Sequence, residues 1–388
     1  MTAARRQVSL ALQGGGSHGA FTWGVLDRLL EDGRIDIEAI SGASAGAMNA
    51  AALAHGYALG GRESAREALK DFWDAVASRM PFDLLPNDGA DSAPVAPQSG
   101  SKSALSAFLS LTRLFSPYQL NPLDLNPLRD ILDRQIDFAR LRADSGIKLF
   151  IAATRVSTGT ARLFRDSELT PDILLASACV PTFHHAIEID GDHYWDGGLT
   201  ANPPIFPLLN QCVTGDVVMV LLYPCRRPNT PTSAEDIRQR LTEISFTTPL
   251  LTELHALALA KAEAERPLFR AGPLERRLRR LNTHMIDSPE LMNRLTALSK
   301  LNTHPDFLKT LYDEGRERTQ SWLEDNFRHI GQRSSFSLGG FLQRETVATD
   351  PASGAKRARQ GNPLSALWQW APKRSIAPAL RARVARRA

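Results

Sequence analysis

Ile35-Asp36-Ile37-Glu38-Ala39-Ile40 runs directly into Ser41-Gly42-Ala43-Ser44-Ala45-Gly46, and an alanine-rich stretch continues to Gly56. An apolar run, a turn of small residues and a helix-forming segment in succession read as strand, turn and helix. Gly42 to Gly46 fits G-x-S-x-G, the pattern of a serine held on a strained strand-to-helix turn. Glycines at both flanks let neighbouring backbone pass close by, and the intervening alanines crowd nothing. The helix that follows aims its N-terminus, with its partial positive charge, at the Ser44 hydroxyl. The blander alternative makes Ser44 a cap at a small-residue helix start.

A similar unit precedes it. Val8 to Leu12 is a short apolar run ending at Gly14-Gly15-Gly16, after which Phe21, Val25 and Leu29 recur every four residues, with Trp23, Leu26 and Leu30 beside them, as far as Gly33. Strand–helix alternation predicts an α/β protein with a mostly parallel sheet and helices on its faces. A nucleophilic serine needs a base and an oxyanion hole. Gly14, Gly15 and Gly16 offer unobstructed backbone N–H groups just ahead of a helix N-terminus. Gly14 to Gly19 also fits G-x-G-x-x-G, with Glu38 at a suitable separation for a dinucleotide ribose. Against a phosphate- or nucleotide-binding reading, that second strand leads into the serine turn, which would fill the same crevice.

The base is less obvious. Nine histidines are present, and His184, His185 and His193 lie shortly before Asp196, but none has a telling context. Tyr194-Trp195-Asp196-Gly197-Gly198 stands out: an acid at a strand end, followed by two glycines that another backbone can approach, with Trp195 as an apolar neighbour to raise its basicity. Cys179, Cys212 and Cys225 fit neither a disulfide scaffold nor a zinc pattern. Cys179, His184 and His185 do not have persuasive ligand spacing, so neither metal nor cofactor is expected.

The GGG-S-H-G loop, the G-A-S-A-G turn and the D-G-G motif, in this order, resemble the patatin-like phospholipases over about Val8 to Tyr223, and Leu175 to Pro181 resembles the family's turn before its last catalytic hairpin. The resemblance implies a three-layer α/β fold and a Ser–Asp dyad in place of a triad. It makes Ser44 the nucleophile and Asp196 the base, with Gly14, Gly15 and Gly16 as the oxyanion hole and Gly19, Gly42, Gly46, Gly197 and Gly198 as supporting motif positions. His18 stands where the family often carries Arg or Lys, and is a candidate substrate contact charged only in part near neutral pH. The implied activity is lipid acyl hydrolysis of the phospholipase or esterase type. Esterase or transacylase action on another acyl store, such as hydroxyalkanoate esters, is the rival within that chemistry.

The rest of the chain frames this domain. Ile147 to Val156 and the run ending at Phe164 read as strands, Ile187 to Ile189 and His193 to Trp195 as a hairpin across Asp190-Gly191, and Val217 to Leu222 as a buried strand. Asn126 to Leu141 reads as a helix. Met80 to Ser103, rich in Pro, Gly and Ser, reads as a long loop or lid. After Pro228 only helical signals remain: Ala234 to Leu281, Pro289 to Leu301 and Pro305 to Phe327. The expected organisation is therefore a catalytic domain over 1–228, a helical extension over 229–330 and a flexible tail over 331–388. The chain's net charge of +4 hides an asymmetry, since residues 351–388 hold nine Lys/Arg and no acid, leaving −5 on the other 350 residues. Such a tail suits an anionic membrane surface better than nucleic acid, or else is merely solvated. No apolar run reaches the ~20 residues of a membrane span, and the N-terminal apolar stretch is short for a signal peptide. The expected location is the cytoplasm, with peripheral membrane contact through the tail.

Overall fold

The computed structural model describes residues 5–79, 111–112, 114–224, 227, 230–266, 272–296 and 298–340. The expected 80–103 loop and the basic tail from 351 onward lie outside these residues. Eight strands form one sheet: β1 (Arg6–Leu12), β2 (Ile35–Gly42), β3 (Lys148–Arg155), β4 (Thr160–Arg165), β5 (Ile187–Ile189), β6 (Asp192–Asp196), β7 (Asp216–Val220) and β8 (Asn282–Ile286). Hydrogen bonds connect them as β5-β6-β3-β2-β1-β7-β8, and β4 also pairs with β3. The β3-β2-β1-β7-β8 portion is parallel, and the β4, β5 and β6 pairings are antiparallel. Helices lie on both faces, giving the three-layer α/β fold expected from the alternation of elements.

Helix α1 (Gly19–Asp32) buries Phe21, Val25, Leu26, Leu29 and Leu30, the face its four-residue spacing defines. Each such side chain contributes about 1.5–3 kcal/mol through removal from water. Gly33 ends the helix in the left-handed region, with φ 74°, the conformation glycine adopts without a Cβ clash. The alanine-rich helix α2 does not stop at Gly56 but runs Ala45–Arg79, with its only non-helical residues at Gly60 and Gly61. Beyond that break Ala65, Leu69, Phe72, Trp73 and Val76 bury a second apolar face. The segment read as one helix from Asn126 is two, α3 (Pro127–Gln135) and α4 (Phe138–Ala143), because the Asp137 side chain caps the second by accepting from the Arg140 N–H.

Helices α5 (Pro171–Ser177) and α6 (Phe206–Gln211) follow, then α7 (Ala234–Ala264), α8 (Pro273–Arg280), α9 (Pro289–Arg294) and α10 (Pro305–Asn326). One expectation fails here: strand signals do not end at Pro228. β8 pairs in parallel with β7 at the sheet edge. Its Thr283 and His284 are buried and hydrogen-bonded, to the Phe336 carbonyl and to Asp216 and Ser335 respectively, so its polar sequence concealed a buried strand. Helix α10 crosses α1 so closely that a Cβ on Gly24 or Gly315 would strike the Tyr312 or Phe21 carbonyl. The chain up to Gly340 forms one compact unit. No helix among the described residues is long and apolar enough to cross a membrane.

Candidate active site

The strand register brings Ser44 and Asp196 together. β3 has β4 along one edge from Phe150 to Arg155. On its other edge β2 occupies Lys148–Ile151, ending at Gly42 opposite Ile151, and β6 occupies Ala153–Arg155, with Asp196 opposite Ala153. β2 and β6 therefore run towards each other along one edge of β3 and finish with their C-terminal ends face to face. The serine turn leaves one and the Asp-Gly-Gly loop leaves the other.

Ser44 has φ 52°, a left-handed conformation that costs a residue with a Cβ roughly 1–2 kcal/mol. The surroundings enforce it. The Ser44 N–H donates to Ser177 O at 3.1 Å and to Ser177 Oγ at 3.0 Å, and the Ser44 carbonyl accepts from Met48 N as α2 begins. A Cβ on Gly42 would lie 2.7 Å from the Gly46 carbonyl carbon, and one on Gly46 would strike Leu12 O. Gly19 is needed for the same reason, because its Cβ would fall 2.7 Å from that of Ala45. Asn49 ties the two helix starts together, donating to Gly19 O and Ala45 O and accepting from Trp73 Nε1.

Asp196 is 1% exposed. Burial pushes its carboxyl up to about 7, against the opposing effects of the hydrogen bond from Gly198 N, at 2.7 Å, and of the nearby Ser44 hydroxyl. Its own N–H donates to Cys179 O and its carbonyl accepts from Thr154 Oγ1. Gly197 passes against Ala152 O and Gly198 against the Phe246 ring, and neither leaves room for a Cβ. Trp195 is not the apolar neighbour expected: adjacent strand residues point to opposite faces. Phe246, and Tyr223 stacked on it at 6.3 Å, line this side instead. No histidine hydrogen-bonds to Ser44 or Asp196 among the described residues. His193 is exposed, and His185 stacks on Tyr118 at 4.1 Å. Burial pushes the Cys179 thiol up to about 12, and its Sγ donates to His185 O.

The glycine loop lies against the serine turn: a Cβ on Gly14 would sit 2.7 Å from that of Ser44. The three glycines are not equivalent. The Gly14 N–H already donates to Asn202 Oδ1 at 2.7 Å, which removes it from the expected set of oxyanion donors. No acceptor among the described residues takes the N–H of Gly15 or Gly16. Asn202 is fully buried and also donates to Phe246 O, while Gln13 donates to Asn202 O and accepts from Leu222 N and Tyr223 N. Neither Asn202 nor Gln13 carries a motif signal beyond its position beside one.

His18 is 3% exposed and lies away from solvent, with its Nε2 2.8 Å from Ser299 Oγ. Burial, then the charges of Lys300 and Arg227, hold its imidazole well below the ordinary histidine value. It is therefore neutral at pH 7 rather than partly charged. The Ser299 hydroxyl proton goes to Thr296 O, so Nε2–H of His18 is the donor and its Nδ1 is left bare, buried and unpartnered. The cations of this region come from elements remote in sequence. Lys300, on the 3₁₀ turn Leu298–Leu301, lies over the Tyr223 ring at 3.9 Å, and Arg227 forms a two-point ion pair with buried Glu243.

The architecture is thus a three-layer α/β protein with its candidate site where the parallel strands end. Residues 10–209 match the patatin-like phospholipase family, and the chain belongs to that family, which makes it in general terms a lipid acyl hydrolase. Among solved structures it is similar to VipD from Legionella pneumophila, at 16% identity and a TM-score of 0.39, over 83% of this chain and 68% of that one. Comparison with curated protein sequences returns no match.

Proposed function

We propose that the chain cleaves carboxylic esters of lipids through an acyl-Ser44 intermediate, with Asp196 as the only base. The observation that carries this reading is the meeting of the Ser44 turn with a buried carboxylate whose value burial lifts to about 7. A free Asp, near 3.9, would be a poor proton acceptor at neutral pH. Raised to about 7, Asp196 is half ionised there and basic enough to take the serine proton.

As Ser44 Oγ attacks the ester carbonyl, its proton passes to Asp196, and the tetrahedral oxyanion is held by the N–H groups of Gly15 and Gly16. Asp196 returns the proton to the leaving alcohol as the C–O bond breaks. Water then gives a proton to Asp196 and attacks the acyl-enzyme. Ser44 leaves with that proton, and the fatty acid is released. Gly14 contributes by position, clamped by Asn202 so that the loop stays against the serine. The basic segment 351–388 serves, in the same proposal, to bring the enzyme to anionic lipid surfaces.

The test is a lipid ester panel assayed with wild type and Ser44→Ala in parallel, together with fluorophosphonate labelling. Labelling at Ser44 and loss of hydrolysis in the variant support the mechanism. Residual activity above about a tenth of wild type would require another nucleophile.

A further inference from the structure

Four charged side chains gather beside the glycine loop. Glu243, 3% exposed, is the acid among them and its oxygens are heavily engaged: Arg227 donates at 2.6 and 3.1 Å, Gln239 at 3.2 Å and Arg240 at 3.3 Å. Arg227, Arg240 and Lys300 against Glu243 leave an excess of two positive charges. Lys300 is the cation left over. Among the described residues its ammonium has no hydrogen-bond acceptor and no carboxylate within pairing distance, only the Tyr223 ring beneath it. Burial lowers it to about 8, so it still carries its charge at pH 7. Three N–H donors on a half-buried cation go unused, an unfavourable arrangement unless an anion completes it.

The position of this cation relates it to the reaction. Its carbonyl oxygen packs against Gly16, where a Cβ would lie 2.5 Å away, so the residue is fixed to the loop that offers the oxyanion donors. Tyr223, under the ammonium, stacks on Phe246, and Phe246 covers Gly198 next to the Asp196 carboxylate. Burial, and after it the charges of Asp196 and Glu243, raise the Tyr223 phenol. Ammonium and base thus share one aromatic wall. An apolar acyl chain gains nothing from an ammonium. A charged group on the alcohol portion of the ester does.

We propose that Lys300 is a specificity-determining residue, whose free ammonium receives an anionic group, phosphate above all, carried by the alcohol portion of the ester. This rests on the hydrolase reading above and adds to it the residue that selects the alcohol. Neutral His18 fits the assignment: its Nε2–H anchors the Ser299 turn that carries Lys300, and burial, then the neighbouring cations, keep it uncharged.

The experiment uses the full chain and two esters that differ only in phosphate, oleoyl lysophosphatidic acid and monooleoylglycerol. In wild type kcat/KM favours the first. In Lys300→Met that preference falls about tenfold or more, the loss of a charge-assisted hydrogen bond, and it falls through KM. Lys300→Arg keeps the preference within about threefold. A merely structural role for Lys300 would lower both substrates together, and an unchanged ratio in Lys300→Met overturns the proposal. Should Lys300→Met unfold, Lys300→Gln takes its place. A binding arm is independent of turnover: glycerol 3-phosphate is titrated into Ser44→Ala by calorimetry, and again with Lys300→Met added, where the affinity should drop by the same factor. If wild type cleaves neither ester, the hydrolase reading fails while this arm still decides whether Lys300 binds the anion. Lys300-dependent binding of inorganic phosphate with no change in the ester ratio would mark a free-anion site and overturn the headgroup role.

Discussion

Replacing Asp196 by asparagine should make the protein more stable while destroying its activity. Burial holds the carboxyl at about 7 against an ordinary 3.8. A carboxyl raised in the folded state binds its proton more tightly there than in the unfolded chain. It therefore costs nothing below about pH 3.8, where both states are protonated, and progressively more as the pH rises to 7, where the folded group also ionises. Over that interval of about three pH units the cost reaches about 4 kcal/mol, of which roughly 1.5 is already present at pH 5. Asparagine has no charge to bury, and its Oδ1 can still accept from Gly198 N. The measurement is urea unfolding of both proteins at pH 5 and pH 8.5, beside hydrolysis of a short soluble ester. The variant's advantage should grow by about 2–3 kcal/mol between the two, while hydrolysis falls by about a thousandfold or more. Wild-type kcat/KM should rise with pH through about 7, as the base loses its proton. A stability gap that does not widen with pH, or a variant less stable than wild type at pH 8.5, would refute the claim that burial of this carboxylate sets its basicity.

Other outcomes follow from the same geometry. Ser44→Ala should be inactive yet folded, and Ser44→Gly equally inactive but more stable than Ser44→Ala by about 0.5–1 kcal/mol in chemical denaturation, because only glycine accepts φ 52° without strain. Asn202→Ala releases Gly14 and leaves its N–H and the Phe246 carbonyl unpaired. It should lower kcat about 10–100-fold with KM little changed, and a variant with wild-type kcat would show that the clamp is dispensable. Removal of residues 351–388 should weaken binding to anionic vesicles in low salt but leave hydrolysis of a soluble ester intact, since each Lys or Arg near such a surface is worth about 1 kcal/mol. Equal vesicle binding by both forms would exclude the tail as an anchor.

Much of the fold was readable because its signals are local. Val8–Leu12 and Ile35–Ile40 each end in small-residue turns and are followed by helical spacing, and Asp190-Gly191 marks a hairpin, with φ 54° and 79° in the structure. β8 was not readable: its Asn282, Thr283 and His284 are satisfied by partners far along the chain, at Asp216, Ser335 and Phe336, and hydrophobicity cannot register such pairing. The helix beyond Gly60-Gly61 had a regular apolar spacing but was obscured by the glycine pair. In the candidate site, Ser44 and Asp196 advertise themselves through the glycines that their tight turns require. Asn202 and Lys300 do not, because an isolated polar residue acquires meaning only from its neighbours in space. The unequal status of Gly14 among three identical glycines belongs to the same class, since it depends on one side chain 188 positions away.

The meeting of β2 and β6 end to end along β3 also has a consequence for how this chain can change over generations. The separation of Ser44 and Asp196 is measured off on a single strand, by the step from Ile151 to Ala153. Of the intervening sequence, Ser177 and Cys179 help to hold the pair through the Ser44 and Asp196 N–H groups, and α3 and α4 pack into the core, so change without disturbing the pair is left to exposed connections. Insertion or loss of one residue within Ile151–Ala153 would instead reverse the facing of every side chain beyond it. β3 acts as a ruler with two stops, and new substrate preferences can be explored in the adjoining segments while the ruler stays fixed.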